Sequence, residues 1–242
     1  MGGETERDDG QAVGDRFEPA TESVMPETRV ARVHLVRHAE VARFAQRTVR
    51  GQLEVPLTER APIQERALVE HLALVEPRPD RILSSDLERC RSLARQVQAR
   101  YGLEVEYDPE LREQSMGAWE GRTWEELTER EPDLVSAYWN DYAHTRPPEG
   151  EALTDLSQRV GDWWDANLEH ALDRSTIVVT HVGVIRVLLA RLLHLPLGDA
   201  LRLAPAVASH TTVLWSAAGP VLETFGERPW LHALESESGT TR

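Results

Sequence analysis

Lysine is absent, and all 27 basic residues of this 242-residue chain are arginines. Cysteine occurs once, at Cys90, which excludes an internal disulfide and any zinc site built from several thiolates, and fits a reducing compartment. No apolar run approaches the ~20 residues needed to span a bilayer. The N-terminus has no basic segment followed by an apolar one, so no secretory signal is expected and a cytoplasmic location follows. Positive charge is scarce: 41 acidic residues leave a net charge of −14, which disfavours nucleic acid and anionic membrane as partners. Any anionic substrate therefore requires a local concentration of arginine.

What is present fits a soluble globular protein, with 40% hydrophobic and 28% charged residues. The length suits one large domain. Residues 1–30 hold eight Asp or Glu against three Arg and lack apolar periodicity, so they read as a disordered acidic tail. Residues 235–242 read as a polar C-terminal tail, which leaves 31–234 as the folded domain. Within it, apolar β-branched runs at 33–36, 81–84 and 175–180 predict buried strands, and 103–107 predicts an edge strand. Residues 211–215 and 221–225 predict a terminal hairpin. Helices are expected from a Thr58 N-cap to Val75, from Ser85–Asp86 to Tyr101, around 153–168, and from Val184 to Leu193. Two more, at 124–131 and 133–143, read as a small helical cap. Strands alternating with helices imply a three-layer α/β/α sandwich on a mostly parallel sheet.

Two of the buried strands run into histidine: Val33–Val36 leads to Arg37-His38, and Ile177–Thr180 leads to His181. In an open α/β sheet, functional groups gather beyond the carboxyl ends of strands, so both rings are expected over one sheet edge, facing one ligand. Arg37, Arg50 and Arg89 lie in adjacent loops or helix starts. Arginine forks bind phosphate oxygens bidentately, and the amide-rich start of the helix after His181 attracts anions.

Leu35-Val36-Arg37-His38-Ala39-Glu40 resembles the Leu-Val-Arg-His-Gly-Glu signature of the histidine phosphatases, the superfamily that includes cofactor-dependent phosphoglycerate mutase. Further blocks resemble the family in its own order: Gly51-Gln52…Pro56-Leu57-Thr58…Gln64, Ser84-Ser85-Asp86-Leu87-Glu88-Arg89, Leu111-Arg112-Glu113…Gly117-Ala118-Trp119-Glu120-Gly121, Pro148-Glu149-Gly150-Glu151 and Val179-Thr180-His181-Val182-Gly183-Val184-Ile185-Arg186. The resemblance covers about residues 32–226.

The resemblance implies a metal-independent phosphomonoester hydrolase without a cofactor, acting on a small phosphorylated metabolite through a phosphohistidine. His38 is then the nucleophile, and Glu113 the acid that protonates the leaving oxygen and later the base on water. Arg37, Arg89 and His181, the last most useful when charged, bind the phosphate; Arg50, Gln52 and Val182 join the substrate site. A mutase that returns the phosphoryl group to its substrate is the alternative. It is disfavoured because no dedicated closing segment is recognisable after residue 226. An inactive binding module is a further alternative, opposed by retention of the whole residue set. The oligomeric state is open, a homodimer included.

The chain also departs from the pattern. Ala39, Val182 and Glu149 stand where the family motif has glycine, and Thr48 stands where an arginine is common, with Arg47 or Arg50 to compensate. His34 and His38 lie four residues apart, about 13 Å along a strand, so they cannot share a metal. Trp119, Trp124, Trp163 and Trp164 read as packing residues, whereas Trp139 and Tyr142 are candidates for substrate contact. Glu40 is read as a loop support, Glu151 as a support or helix-start residue, and His210 as bordering the pocket without acting.

Overall fold

The computed structural model describes residues 29–42, 48–168 and 171–231. The tails at 1–28 and 232–242, and Arg47 with its neighbours, lie outside the described residues. Val30, read as part of the acidic tail, instead opens the first strand.

Four strands are mutually parallel: β1 (Val30–Arg37), β2 (Arg81–Ser84), β3 (Val105–Tyr107) and β4 (Ser175–Thr180). β5 (His210–Ser216) runs antiparallel to β1 and forms a hairpin with β6 (Gly219–Glu227). The order β3-β2-β4-β1-β5-β6 puts β1 and β4 side by side at the centre, with Arg37 opposite Thr180. The two histidines that follow these strands therefore emerge from neighbouring strand ends. β3 is an edge strand, as its alternating residues predict.

Both faces of the sheet are covered, and at the centre β4 runs Ile177-Val178-Val179 fully buried without alternation, whereas β1 includes the buried His34. Helices α1 (Ala61–Val75) and α2 (Glu88–Tyr101) pack Leu68, Leu72, Leu93 and Val97 on the face that carries Val36, Ile82, Ile177 and Val179. On the other face, α5 (Leu153–Asn167) and α6 (Val182–Leu192) cover Val33, Leu35, Leu83 and Val178. Burying one such aliphatic side chain is worth roughly 1.5–3 kcal/mol. The three-layer α/β/α sandwich expected from the sequence is present.

Between them, α3 (Trp124–Arg130) and α4 (Pro132–Asn140) form the expected excursion. It has its own small core of Val49, Met116, Trp119, Leu127, Val135 and Tyr138, which is why it stands as a cap and not as a frayed loop. Trp119, Trp163 and Trp164 are buried, as read from the sequence, and Trp139 is 54% exposed.

Several helix starts differ from expectation, α6 among them, which begins at Val182 and not Val184. Thr58 does not cap α1, whose N-cap is Arg60 with Pro62 in the first turn. The Thr58 N–H and hydroxyl instead donate to the Glu40 carbonyl, holding the loop that follows His38. Helix α2 starts at Glu88 because Leu87 is extended, so Ser85 and Asp86 remain a loop and Arg89 falls in the first turn.

Candidate active site

A cavity of about 440 Å³ lies beyond the carboxyl ends of β1 and β4, and Arg37, His38, Arg50, Arg89, Glu113 and Val182 all line it. His38 is 5% exposed, and its Nδ1–H donates to the Ala39 carbonyl at 2.7 Å. The proton on Nδ1 leaves Nε2 as the nitrogen with a free lone pair. Burial, then the nearby Arg37 and Arg89 guanidinium groups, hold the His38 pKa well below 6.5. A neutral imidazole is the form that attacks phosphorus.

Arg37 is held by a bond from Nη1 to the Pro205 carbonyl at 2.7 Å, and burial lowers its pKa to about 10, so it stays charged at neutral pH. Arg89 is a hub: Nη1 donates to the Leu53 carbonyl, Nη2 to the Gly51 carbonyl, and Nε to His181 Nδ1 at 3.2 Å. This fastens the Gly51 loop, and with it Arg50, to the β2 and β4 ends. Val182 opens α6, and the first N–H groups of a helix have no intrahelical acceptor, which suits an anion.

His181 is placed differently from expectation. Its ring centre lies 5.2 Å from that of His38, but it is fully buried and does not line the cavity. Nδ1 accepts from Arg89, so Nε2 carries the proton and donates to Ser85 Oγ at 2.8 Å. Burial, then Arg89, hold its pKa well below 6.5, so the charged form expected from the sequence is disfavoured. In this state His181 orients Arg89. Gln52 likewise does not line the cavity: its Nε2 donates to the Glu113 carbonyl at 3.0 Å. It holds the loop that bears Glu113.

Glu113 is clamped on several sides. Its Oε1 accepts from the N–H groups of Gly183 and Gln114, both at 3.0 Å. Arg159 donates to the Arg112 carbonyl and also pairs with Glu151, whose other oxygen takes the Ser115 N–H. Glu151 is thus the support it was read to be. Asp86 grips Arg112 through two bonds of 2.6 Å. Glu40 lines the cavity, and its backbone N–H donates to Gln64 Oε1.

The glycine replacements separate into two kinds. Neither Ala39 nor Val182 lies at positive φ, so their β-carbons cost no backbone strain. Glu149, at φ 59°, does occupy the left-handed region that glycine favours.

A second cavity, about 230 Å³, adjoins the first and shares Arg50, Gly51, Glu113 and Val182 with it. Trp124, Tyr138, Trp139, Tyr142 and Arg186 line it, so Trp139 and Tyr142 are placed as expected. Arg186 was missed, although an arginine one turn into an otherwise apolar helix is a readable signal. Trp230 was missed as well. It donates Nε1–H to the Val207 carbonyl, and both residues line the larger cavity. No dedicated closing segment is recognisable in the sequence after residue 226, yet Trp230 there does line the cavity. His210 does not border the cavity; it is buried beside His34 and His71, and burial with those two rings pushes its pKa down to about 3.

The chain is similar in sequence and fold to known proteins. The model of the histidine phosphatase superfamily, branch 1, matches residues 33–228. The chain belongs to the histidine phosphatase superfamily. It is 32% identical over 206 residues to a Shigella boydii serotype 18 protein named "probable phosphoglycerate mutase GpmB", covering 83% of this chain and 95% of that one. The α-ribazole phosphatase of Shigella flexneri has a similar fold, with a TM-score of 0.74 at 29% identity, covering 81% of this chain and 96% of its own. A mycobacterial glucosyl-3-phosphoglycerate phosphatase solved with inorganic phosphate gives a TM-score of 0.67 at 28% identity, covering 82% and 98%. Among the described residues, no helix of this histidine phosphatase is long and apolar enough to cross a membrane.

Proposed function

We propose that the chain is a phosphomonoester hydrolase that transfers the phosphoryl group of a small metabolite to His38 Nε2 and then to water. The observation that carries this reading is the His38 tautomer: Nδ1–H is committed to the Ala39 carbonyl while the ring lines an arginine-rich cavity. The guanidinium groups of Arg37, Arg50 and Arg89 neutralise the equatorial oxygens as Nε2 attacks in line, because phosphoryl transfer depends chiefly on positioning and charge stabilisation. As the P–O bond breaks, the Glu113 carboxyl gives its proton to the leaving oxygen. Water then attacks the phosphohistidine, Glu113 takes the water proton, and inorganic phosphate leaves with His38 restored.

The leaving group would occupy the adjoining cavity, whose aromatic rings suit an apolar or planar face and whose Arg186 suits an acceptor or an anion. That the relatives named above include phosphatases supports hydrolysis. The mutase reading is favoured by one observation, the position of Trp230 and Val207 on the cavity wall, since a mutase must shield its phosphoenzyme from water.

The deciding experiment assays a panel of phosphate esters with EDTA at 25 °C, measuring phosphate release and isomer formation separately. Release without isomer supports the hydrolase. Isomer without release selects the mutase. An acid-labile phosphate mapped to a residue other than His38 would overturn the mechanism.

A further inference from the structure

On the α1 face of the sheet, outside the lining of the phosphate cavity, His71 of α1, His210 at the start of β5 and Glu227 at the end of β6 converge. His71 Nε2 lies 3.1 Å from His210 Nδ1, His210 Nδ1 lies 3.2 Å from Glu227 Oε2, and Glu227 Oε2 lies 3.6 Å from His71 Nε2. We propose that these three atoms form a structural zinc site that fastens α1 to the β5–β6 edge.

The first argument is geometric. Ligand atoms held about 2.0–2.1 Å from a tetrahedral zinc lie roughly 3.3 Å apart, and the three edges here scatter closely around that separation. Two imidazole nitrogens and one carboxylate oxygen form a donor set that suits zinc, whereas calcium and magnesium favour oxygen alone. His71 is 21% exposed and Glu227 39%, so the open side admits an ion and leaves a fourth position for water.

The second argument counts protons. In the tautomer in which neutral His34 gives its Nε2–H to Glu76 Oε2 at 3.4 Å, its Nδ1 accepts from His210 Nε2–H at 2.8 Å, with Thr212 Oγ1 at 3.1 Å from the same His210 nitrogen. His210 Nδ1 is then a bare lone pair directed at a carboxylate oxygen and a second imidazole nitrogen. A proton on His71 Nε2 satisfies one edge of that triangle at a time, and a cation at its centre satisfies all three atoms. The Glu76–His34–His210 chain is also the outer arrangement that fixes the tautomer of a ligating histidine and raises its basicity.

The consequence reaches the cavity through the chain itself. Three residues beyond Glu227 stands Trp230, bonded to the Val207 carbonyl, and Val207 lies three residues before His210. An ion on His210 and Glu227 therefore pins both segments that contribute Trp230 and Val207 to the cavity wall. It takes no part in the phosphoryl chemistry on His38.

The test strips the purified full chain with EDTA, then titrates it with zinc ion alone by calorimetry and follows thermal unfolding. One zinc per chain is expected, with a melting temperature raised by several degrees. Cobalt in its place should give the visible absorption of a tetrahedral site. His71→Ala and Glu227→Gln alter partly exposed side chains and keep the fold, and each should weaken zinc binding by roughly tenfold or more. His38→Ala should bind zinc as the unmodified protein does. Failure of the stripped protein to bind zinc would overturn the proposal, as would unchanged affinity in both ligand variants. Loss of binding in His38→Ala would overturn it too, by placing the ion in the phosphate cavity. Phosphate release at 25 °C is measured on the same samples, so failure of the site and failure of the hydrolase reading are told apart.

Discussion

Two pairs of histidine rings flank β1 at nearly the same separation, 5.2 Å for His38 and His181 and 5.0 Å for His34 and His210. Their neighbours differ in sign. Around the first pair stand Arg37 and Arg89, which together with burial hold both rings neutral and leave the excess positive charge on guanidinium groups facing a cavity. Around the second pair stand Glu76 and Glu227. The same side chain thus belongs to a candidate anion site in one place and a candidate cation site in the other. The charge that neighbouring elements bring to a buried imidazole decides which.

The largest effect expected breaks this symmetry directly. His38→Ala should lower phosphate release by ~10³-fold or more, because it removes the nucleophile. His34→Gln keeps a donor and an acceptor on β1 and should change turnover by less than about threefold. Steady-state phosphate release, with acid-quenched detection of phosphoenzyme, checks both. Comparable losses in the two variants would erase the functional distinction between the pairs.

A smaller effect tests how the acid is held. A β-carbon at Gly183 would overlap Glu113 Oε1, the far end of a side chain that can swing away. Gly183→Ala should therefore fold normally yet lower kcat/KM for alkyl phosphates by ~10²-fold, in the range of general acid catalysis. With p-nitrophenyl phosphate, whose leaving group needs little protonation, the loss should be less than about tenfold. Equal losses on both substrates would mean that Glu113 does not protonate the leaving oxygen.

The pH profile sharpens the electrostatic side. Protonation removes the His38 nucleophile, and its pKa is lowered, so the neutral form persists as pH falls and the acid limb of kcat/KM should lie below 6.5. Arg37 is the leading charge that adds to burial in this shift. Arg37→Met should accordingly move the limb upward even as it lowers the rate. A limb that stays in place would assign the shift to burial and the remaining arginines, Arg89 and Arg50.

The sequence made much of this legible, for definite reasons. Two apolar runs ending in histidine suffice to place both rings at one sheet edge, because parallel neighbours end on the same side. Arg89 and Glu113 were found because their motifs are contiguous blocks. The exact role of His181 was not readable, since it depends on Ser85 and Arg89 occupying both ring nitrogens, 96 and 92 residues away. The His34–His210 contact joins residues 176 apart and needs the antiparallel register of β1 with β5, which no periodicity specifies. Trp230 gave no signal because it stands alone beyond the last strand.

The smallest effect compares backbone strain in the two regions. Each holds one non-glycine residue at positive φ: Glu149 beside the Glu113 loop, at 59°, and Ala208 two residues before His210, at 46°. Glu149 is exposed, so its side chain contributes little packing to offset the strain, and Glu149→Gly should stabilise the fold by about 0.5–1 kcal/mol. Ala208 is fully buried in the α1–α2 core. There the relief of strain is offset by about 0.8 kcal/mol of lost methyl burial, so Ala208→Gly should leave stability nearly unchanged. Urea unfolding of the two variants checks the pair: a gain at position 208 as large as that at 149 would show that its methyl group contributes no packing to the histidine cluster's side of the sheet.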